Sequence, residues 1–225
     1  MTNYTVADHG VGNSVEVGGV TGGSLQIHVK GNNNRIVIGQ ITVRQSEVVN
    51  LHGDGNCLEV GSRCILEGRL RASGGSTISV GDGVTIERAY VAAQEGRTIR
   101  IGPHCLLASG IVIRTADAHT IYSLETRQRI NAAQDVTISA HVWIATGATI
   151  QKGVVIEENC IVGAGAMVLG GVYSANCIIA GVPARIVKTG IIWDRYTAQS
   201  LDDPAGKFEP HFAGYLARSL QRPGQ

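Results

Sequence analysis

From Ile138 onward an aliphatic residue recurs at every sixth position: Ile138, Ile144, Ile150, Ile156, Val162 and Val168. Four positions after each stands a compact residue: Val142, Ala148, Val154, Cys160, Ala166 and Val172. Side chains two apart on a strand share a face, so the plus-four residue, two before the next aliphatic, also points inward. A period of six fits neither a helix nor simple strand alternation. It fits a short strand and a turn, and three such sides make a triangular coil of 18 residues. Successive coils then hydrogen-bond about 4.8 Å apart.

Upstream the coil is longer. Asn13-Ser-Val-Glu-Val-Gly18, Asn34-Arg-Ile-Val-Ile-Gly39, Asn56-Cys-Leu-Glu-Val-Gly61, Ser76-Thr-Ile-Ser-Val-Gly81 and Arg97-Thr-Ile-Arg-Ile-Gly102 share one pattern. Their starts are 21, 22, 20 and 21 residues apart, which is 18 plus two to four for a bulged corner. Gly and Asn at these corners are expected to supply positive φ. The hexads Val60/Leu66/Ala72, Val80/Ile86/Ala92 and Ile101/Leu107/Ile113 fall between them.

Composition agrees with a solenoid: 30 glycines, only ten aromatic residues and 16% charged residues in 225. Glycines turn the corners, and a narrow core is filled by Ile, Val and Ala. Lys plus Arg number 19 against 18 Asp plus Glu, which offers no overall field for nucleic acid or an anionic membrane. The start, MTNYTVADHG, has no signal-peptide character. Cys160 to Ala184 is free of charge for 25 residues, but its five glycines, Asn176 and Pro183 mark it as buried β structure rather than a membrane span. Five cysteines with no Cys-x-x-Cys pair fit a reducing cytoplasm, and Cys64, Cys105 and Cys160 occupy plus-four positions as small buried hydrophobes.

The repeat breaks once. After Ile113 the inward positions would hold Asp117 and His119, and burying an unpaired charge in an apolar prism costs several kcal/mol. The chain is therefore expected to leave the coil near Thr115 and rejoin it by Val136, with 116–135 as an excursion loop carrying Asp117, His119, Tyr122, Glu125, Arg127 and Arg129. Insertions on one face of a repeat scaffold usually carry function. Of seven histidines, only His119 stands in such a loop; His104 and His141 fall at corners and read as solvated turn residues. Trp143, next to inward Ile144, points outward, either packed against a loop or subunit or forming a site wall.

These residues resemble the hexapeptide-repeat acyltransferases, the left-handed parallel β-helix family, over about 76–193. The run Asp117-Ala-His-Thr-Ile-Tyr-Ser-Leu-Glu-Thr126, then Arg129-Ile-Asn131 and His141-Val-Trp-Ile144, is similar to the branch that O-acetylates bacterial capsular and other surface polysaccharides, sialic acid capsules among them. Ala180-Gly-Val-Pro-Ala-Arg185 resembles the family's C-terminal signature. The resemblance implies an all-β, left-handed parallel β-helix solenoid with one excursion loop and a short helical or irregular C-terminal tail. It implies a homotrimer with sites in the grooves between subunits, acetyl-CoA as co-substrate, a saccharide acceptor and no metal. His119 corresponds to the family's general base, and imidazole chemistry suits removal of a hydroxyl proton. Trp143 corresponds to a site-lining Trp, Ala145, Gly163 and Ala164 to positions along the pantetheine, and Arg185 and Lys188 to contacts with the CoA phosphates. The chain departs from the family at Leu169-Gly170 and Tyr173, where a Thr-Lys pair and a Pro are frequent, and at Ala145, which replaces a frequent Gly.

The expected organisation is a β-helix domain over 1–188 and a capping tail over 189–225. The tail holds Trp193, Tyr196, Phe208, Phe212 and Tyr215, and shows helical spacing after Pro210. Two other functions share the scaffold: a zinc carbonic anhydrase, requiring three convergent histidines such as His119, His104 and His141, and a non-catalytic solenoid that binds or assembles.

Overall fold

The computed structural model describes residues 3–195. Strands stack in parallel, each on the equivalent strand of the coil before, and build a three-sided solenoid. In the later coils the first face is formed by Thr98–Ile101, Val136–Ile138, Val154–Ile156 and Gly171–Tyr173. The second is formed by Thr85–Ile86, Leu106–Leu107, Trp143–Ile144, Ile161–Val162 and Cys177–Gly181, and the third by Ala89–Gln94, Val112–Arg114, Thr149–Ile150 and Met167–Val168. Ala184–Thr189 turns back antiparallel on Cys177–Gly181 and ends the second face. The compact unit extends through Trp193. The aromatic residues from Tyr196 on, and the helical spacing after Pro210, lie outside the described residues.

Register follows the sequence spacing. Ser14 pairs with Arg35, Arg35 with Cys57, Cys57 with Thr77 and Thr77 with Thr98, the same offsets as the polar-aliphatic-Gly pattern. The extra residues are taken up at the corner between the second and third faces, where the register shifts between Val43 and Glu47. All six hexad aliphatics from Ile138 to Val168 are fully buried, and Cys64, Cys105 and Cys160 fill the inward small sites. All five cysteines are free thiols. Two hexad assignments are corrected. The last coil is one residue shorter, pairing Val154 with Gly171 and Ile156 with Tyr173, so Tyr173 turns inward and Val172 outward. On the third face Ile113 pairs with Val91, so Val91 is inward and Ala92 points out.

The glycine that closes each upstream pattern has a different purpose from the one expected. Gly18, Gly39, Gly61, Gly81 and Gly102 do not have positive φ. They are small because the next coil passes too close: a Cβ on Gly81 would stand 2.6 Å from Pro103 N, and one on Gly102 would stand 2.6 Å from Ala140 N. In the last three of these patterns positive φ falls two residues after the glycine, at Arg63, Gly83 and His104, and it recurs at His141, Asn159 and Asn176 in the coils that follow. The pattern's asparagines form a buried amide ladder instead. Asn13 Oδ1 accepts from Asn34 N and Nδ2, Asn34 Oδ1 from Asn56 N and Nδ2, and Asn56 Oδ1 from Ser76 N. Each amide thus satisfies backbone donors that the corner exposes to the core.

One inward site breaks the apolar rule without a loop. Glu47 occupies the plus-four position between Val43 and Val49, is 1% exposed, and has no hydrogen-bond partner for either carboxylate oxygen. Its register neighbour Gly68 has no side chain and leaves room for it. Burial, with a smaller contribution from the Glu67 charge, pushes the Glu47 carboxyl up to about 8.

Two expectations follow. Gly102→Ala should cost about 1–3 kcal/mol, read as a lower melting temperature, because backbone rather than a flexible side chain must move. For Glu47, the folded state favours the protonated acid. Its stabilisation is full below the ordinary carboxylate range and is lost as pH rises to about 8. Glu47→Gln should therefore remove a decline in melting temperature between the ordinary carboxylate range and pH about 8, gaining on the order of 5 kcal/mol above that pH and little in acid.

Candidate functional site

The excursion loop springs from the corner between the third and first faces. The strand Val112–Arg114 ends, Thr115 and Ala116 remain buried, and the coil resumes at Val136. Charges that would have been stranded in the core instead tie the loop to that corner. Lys152 Nζ donates to Asp117 Oδ2 and, at 3.0 Å, to Asn131 O. Asn131, 7% exposed, is the hub: its Nδ2 donates to Asp117 Oδ2 at 2.9 Å and His119 O at 2.7 Å, and its Oδ1 accepts from Ile121 N at 2.8 Å. Arg129 grips Glu95 with both Nη atoms, at 2.7 and 2.9 Å. The Lys152 hydrogen bond holds the Asp117 carboxyl below its ordinary range, against a partial rise from burial. Arg129 does the same for Glu95.

His119 is thereby held by its backbone while its side chain is exposed; no described residue hydrogen-bonds the ring. The preceding Ala118 has φ 66°, a left-handed conformation that costs a non-glycine residue about 1 kcal/mol or more. The Asn131 hub and the Asp117–Lys152 pair stabilise this turn, so the imidazole is presented by a fixed backbone. The same loop exposes apolar side chains: Ile121 at 52%, Tyr122 at 59%, Leu124 at 99% and Ile130 at 64%.

The other candidate residues gather on the second face. Trp143 pairs in register with Ile161, Ile161 with Ile178, and Ile178 with Lys188. Beside this column, Ala145 N donates to Val162 O, Gly163 N to Ile179 O, and Ala180 pairs with Arg185. A Cβ on Gly163 would lie 3.1 Å from Ala180 Cβ, so coil stacking by itself favours a small residue there. Ala164 is exposed at the adjoining corner, next to Gly165, which has positive φ and stacks on Gly147 of the coil before. Arg185 and Lys188 are exposed, with no acidic partner among the described residues; Arg185 Nη1 donates to Ala184 O. Trp143 points outward and is half-buried against Trp193, with ring centroids 5.9 Å apart.

Sequence reasoning misjudged His141. It sits at a corner with φ 55°, but it is only 7% exposed. Trp193 stacks on it at 4.3 Å, Trp193 Nε1 donates to His141 O, and His141 Nδ1 lies 3.1 Å from Asn159 Oδ1. Enclosed in this way it is not presented as a zinc ligand, and among the described residues no three His, Cys, Asp or Glu side chains converge. Lys152, Asn131, Glu95 and Trp193 were missed: each acts through partners distant in sequence. Only the clustering of aromatics after Thr189 pointed toward Trp193.

In a three-sided solenoid, the corner between the third and first faces lies opposite the second face. His119 is therefore on one side of the chain, and Trp143, Ala145, Gly163, Arg185 and Lys188 are on the other. A single chain does not bring them together.

The family model "Bacterial transferase hexapeptide (six repeats)" matches residues 135–170. A polysialic acid O-acetyltransferase of Neisseria meningitidis is 35% identical over 215 residues, covering 91% of this chain and 97% of that protein. One from Escherichia coli O1:K1 / APEC is 32% identical over 130 residues, 58% of this chain and 42% of that protein. Among solved structures, the polySia-specific acetyltransferase NeuO superposes with a TM-score of 0.86 at 28% identity, covering 96% of this chain and 99% of that one. The polysialic acid O-acetyltransferase OatWY superposes with a TM-score of 0.83 at 32% identity, covering 89% and 97%. The solenoid is the left-handed parallel β-helix of these enzymes. Likeness over almost the full length of both chains, coil for coil, decides the assignment: the chain belongs to the hexapeptide-repeat acyltransferases, in the capsular polysaccharide O-acetyltransferase branch.

Proposed function

We propose that the protein transfers an acetyl group from acetyl-CoA to a hydroxyl of a bacterial capsular or surface saccharide, sialic acid in a polymer being the favoured acceptor, with His119 as general base. The observation that carries this is the exposed imidazole on a clamped, conformationally strained loop, in a chain similar over nearly its whole length to polysialic acid O-acetyltransferases. His119 would take the proton of the acceptor hydroxyl as its oxygen bonds to the acetyl carbonyl. The carbon–sulfur bond breaks, and the proton passes to the departing sulfur. Acetyl-CoA supplies the activated acyl group.

The second face fits that co-substrate. Ala145 and Gly163 keep the wall low for a thin chain, and Arg185 and Lys188 are cations available to phosphates. Leu169 and Gly170 offer no charge, and Tyr173 is turned inward, so the basic contacts rest on the hairpin strand Ala184–Thr189. Trp143 would wall the site, its indole braced by Trp193.

Because His119 and the second face lie on opposite sides, a complete site requires a second copy, and the homotrimer is the arrangement proposed. The bare apolar side chains beside His119 support it: Ile121, Tyr122, Leu124 and Ile130 form a patch that an adjacent subunit would cover. Among the described residues no helix is long and apolar enough to cross a membrane. Five free thiols and the need for acetyl-CoA support a cytoplasmic location.

His119→Ala should lower acetyl transfer to oligosialic acid by about 10²-fold or more with the melting temperature little changed, since the side chain is exposed and no described residue hydrogen-bonds the ring; retained activity would overturn the base. His119→Ala and Trp143→Ala chains, refolded together in equal amounts, should recover activity, with about a quarter of sites intact if each site draws on two chains. A mixture as inactive as its parts would place both residues in one chain. Lys152→Met should loosen the loop, accelerating hydrogen exchange at the Ile121 amide and reducing kcat. In the native chain the depressed Asp117 carboxyl keeps the clamp through the ordinary carboxylate range, and it is lost only as pH falls through that lowered value.

A further inference from the structure

The third face carries three arginines that form no salt bridge with a described side chain, although Arg114 lies within the field of Asp117. Arg71 pairs in register with Ala92 and Ala92 with Arg114, forming one outward column; Arg69, Tyr90 and Val112 form the next. Two coil steps of about 4.8 Å set Arg71 and Arg114 roughly 10 Å apart. Nearby arginines are matched to acids, Arg44 to Glu87, Arg88 to Glu67 and Arg129 to Glu95, but Arg69, Arg71 and Arg114 are not.

The Nε atoms of Arg71 and Arg114 are buried and have no hydrogen-bond partner. A donor withdrawn from water without an acceptor costs about 1–3 kcal/mol, a cost that an incoming anion removes only by turning the side chain to meet it. Ala92, outward between them, is only 2% exposed, so its neighbours lie down over it and the guanidinium groups are held against the wall. Their field is felt locally. Arg114 is among the charges that lower Asp117, and Arg71, after burial, lowers His52. Beside the columns lies an open depression of about 410 Å³ lined in part by Arg69, Arg88, Tyr90 and Val112.

We propose that Arg69, Arg71 and Arg114 form a binding strip for a polymer with regularly repeated carboxylates, an acidic polysaccharide, running along the third face toward the corner that bears His119. Arg114 is the last strand residue before the loop, five positions from His119, so the strip ends where the base begins. A guanidinium fork takes a carboxylate in bidentate fashion. Forks two coils apart require carboxylates on different sugars, so an oligomer gains from the strip and a monomer does not. This rests on the proposed acyl transfer to such an acceptor.

The test is calorimetric titration of the full chain with oligosialic acid long enough to span both arginines, and with monomeric sialic acid. In the Arg71→Gln/Arg114→Gln variant the oligomer's affinity should fall about tenfold and its salt dependence should flatten, while the monomer's affinity changes little. The Arg71→Lys/Arg114→Lys variant, which keeps the charge and serves if the Gln variant misfolds, should lose less. The KM for acetyl-CoA should stay the same. Oligomer affinity unchanged within twofold overturns the strip. A raised acetyl-CoA KM with unchanged oligomer affinity also overturns it, assigning the arginines to CoA phosphates. The titrations need no turnover, so arginine-dependent oligomer binding in a protein that acetylates no saccharide would defeat the proposed function and leave the strip standing. Acetylation with arginine-independent binding would do the reverse.

Discussion

The parallel backbone ladder between coils governs every other feature of this protein. Each strand hydrogen-bonds to its equivalent one turn earlier, so a residue's identity is constrained by the column it joins. Inward columns are filled by Ile, Val, Leu, Ala and Cys, with Tyr173 in the last coil, because the prism is narrow and holds no water to solvate polarity. Apart from Glu47, polar groups enter where the column itself satisfies them, as in the amide ladder from Asn13 to Ser76. Glycine is required where the ladder draws successive corners within a Cβ's reach, which is the case at Gly81 and Gly102.

The same constraint decides how charge is handled. At Asp117 and His119 an inward charge forces the chain out of the coil, and the expelled residues become the loop. At Glu47 the chain stays in and the carboxyl is buried beside Gly68, with its ionisation suppressed. The difference lies in length and partners. Twenty extra residues, 116–135, let Asp117 reach Lys152 and Asn131, whereas the bulge at Arg44-Gln45-Ser46 adds only local slack.

Function is divided by the geometry of a prism. A rigid wall supplies a flush second face ending in Arg185 and Lys188, and a clamped loop at the opposite corner supplies His119. Neither side alone brings the candidate residues together, and the loop that bears His119 also exposes Ile121, Tyr122, Leu124 and Ile130. The loop is clamped at its root: Asn131 and Lys152 hold a left-handed turn at Ala118 that an unsupported loop would abandon.

The sequence by itself determined the period, the bulged N-terminal coils, the burial of the cysteines and the exit and return of the loop, because in a solenoid each residue's environment repeats at a fixed interval. It also singled out His119 and the outward Trp143, as residues that break or oppose that interval. Tertiary structure alone decided the remainder. His141 follows the corner rule in its φ, yet Trp193, arriving from far along the chain, covers it. Val172 and Ala92 lost their inward places to Tyr173 and Val91 through single-residue slips that strict six-residue counting passes over. The Asp117–Lys152 clamp, the unpaired arginine column and the opposition of His119 to the second face depend on which coils lie side by side. The six-residue repeat states that coils stack; only the register states which side chains meet.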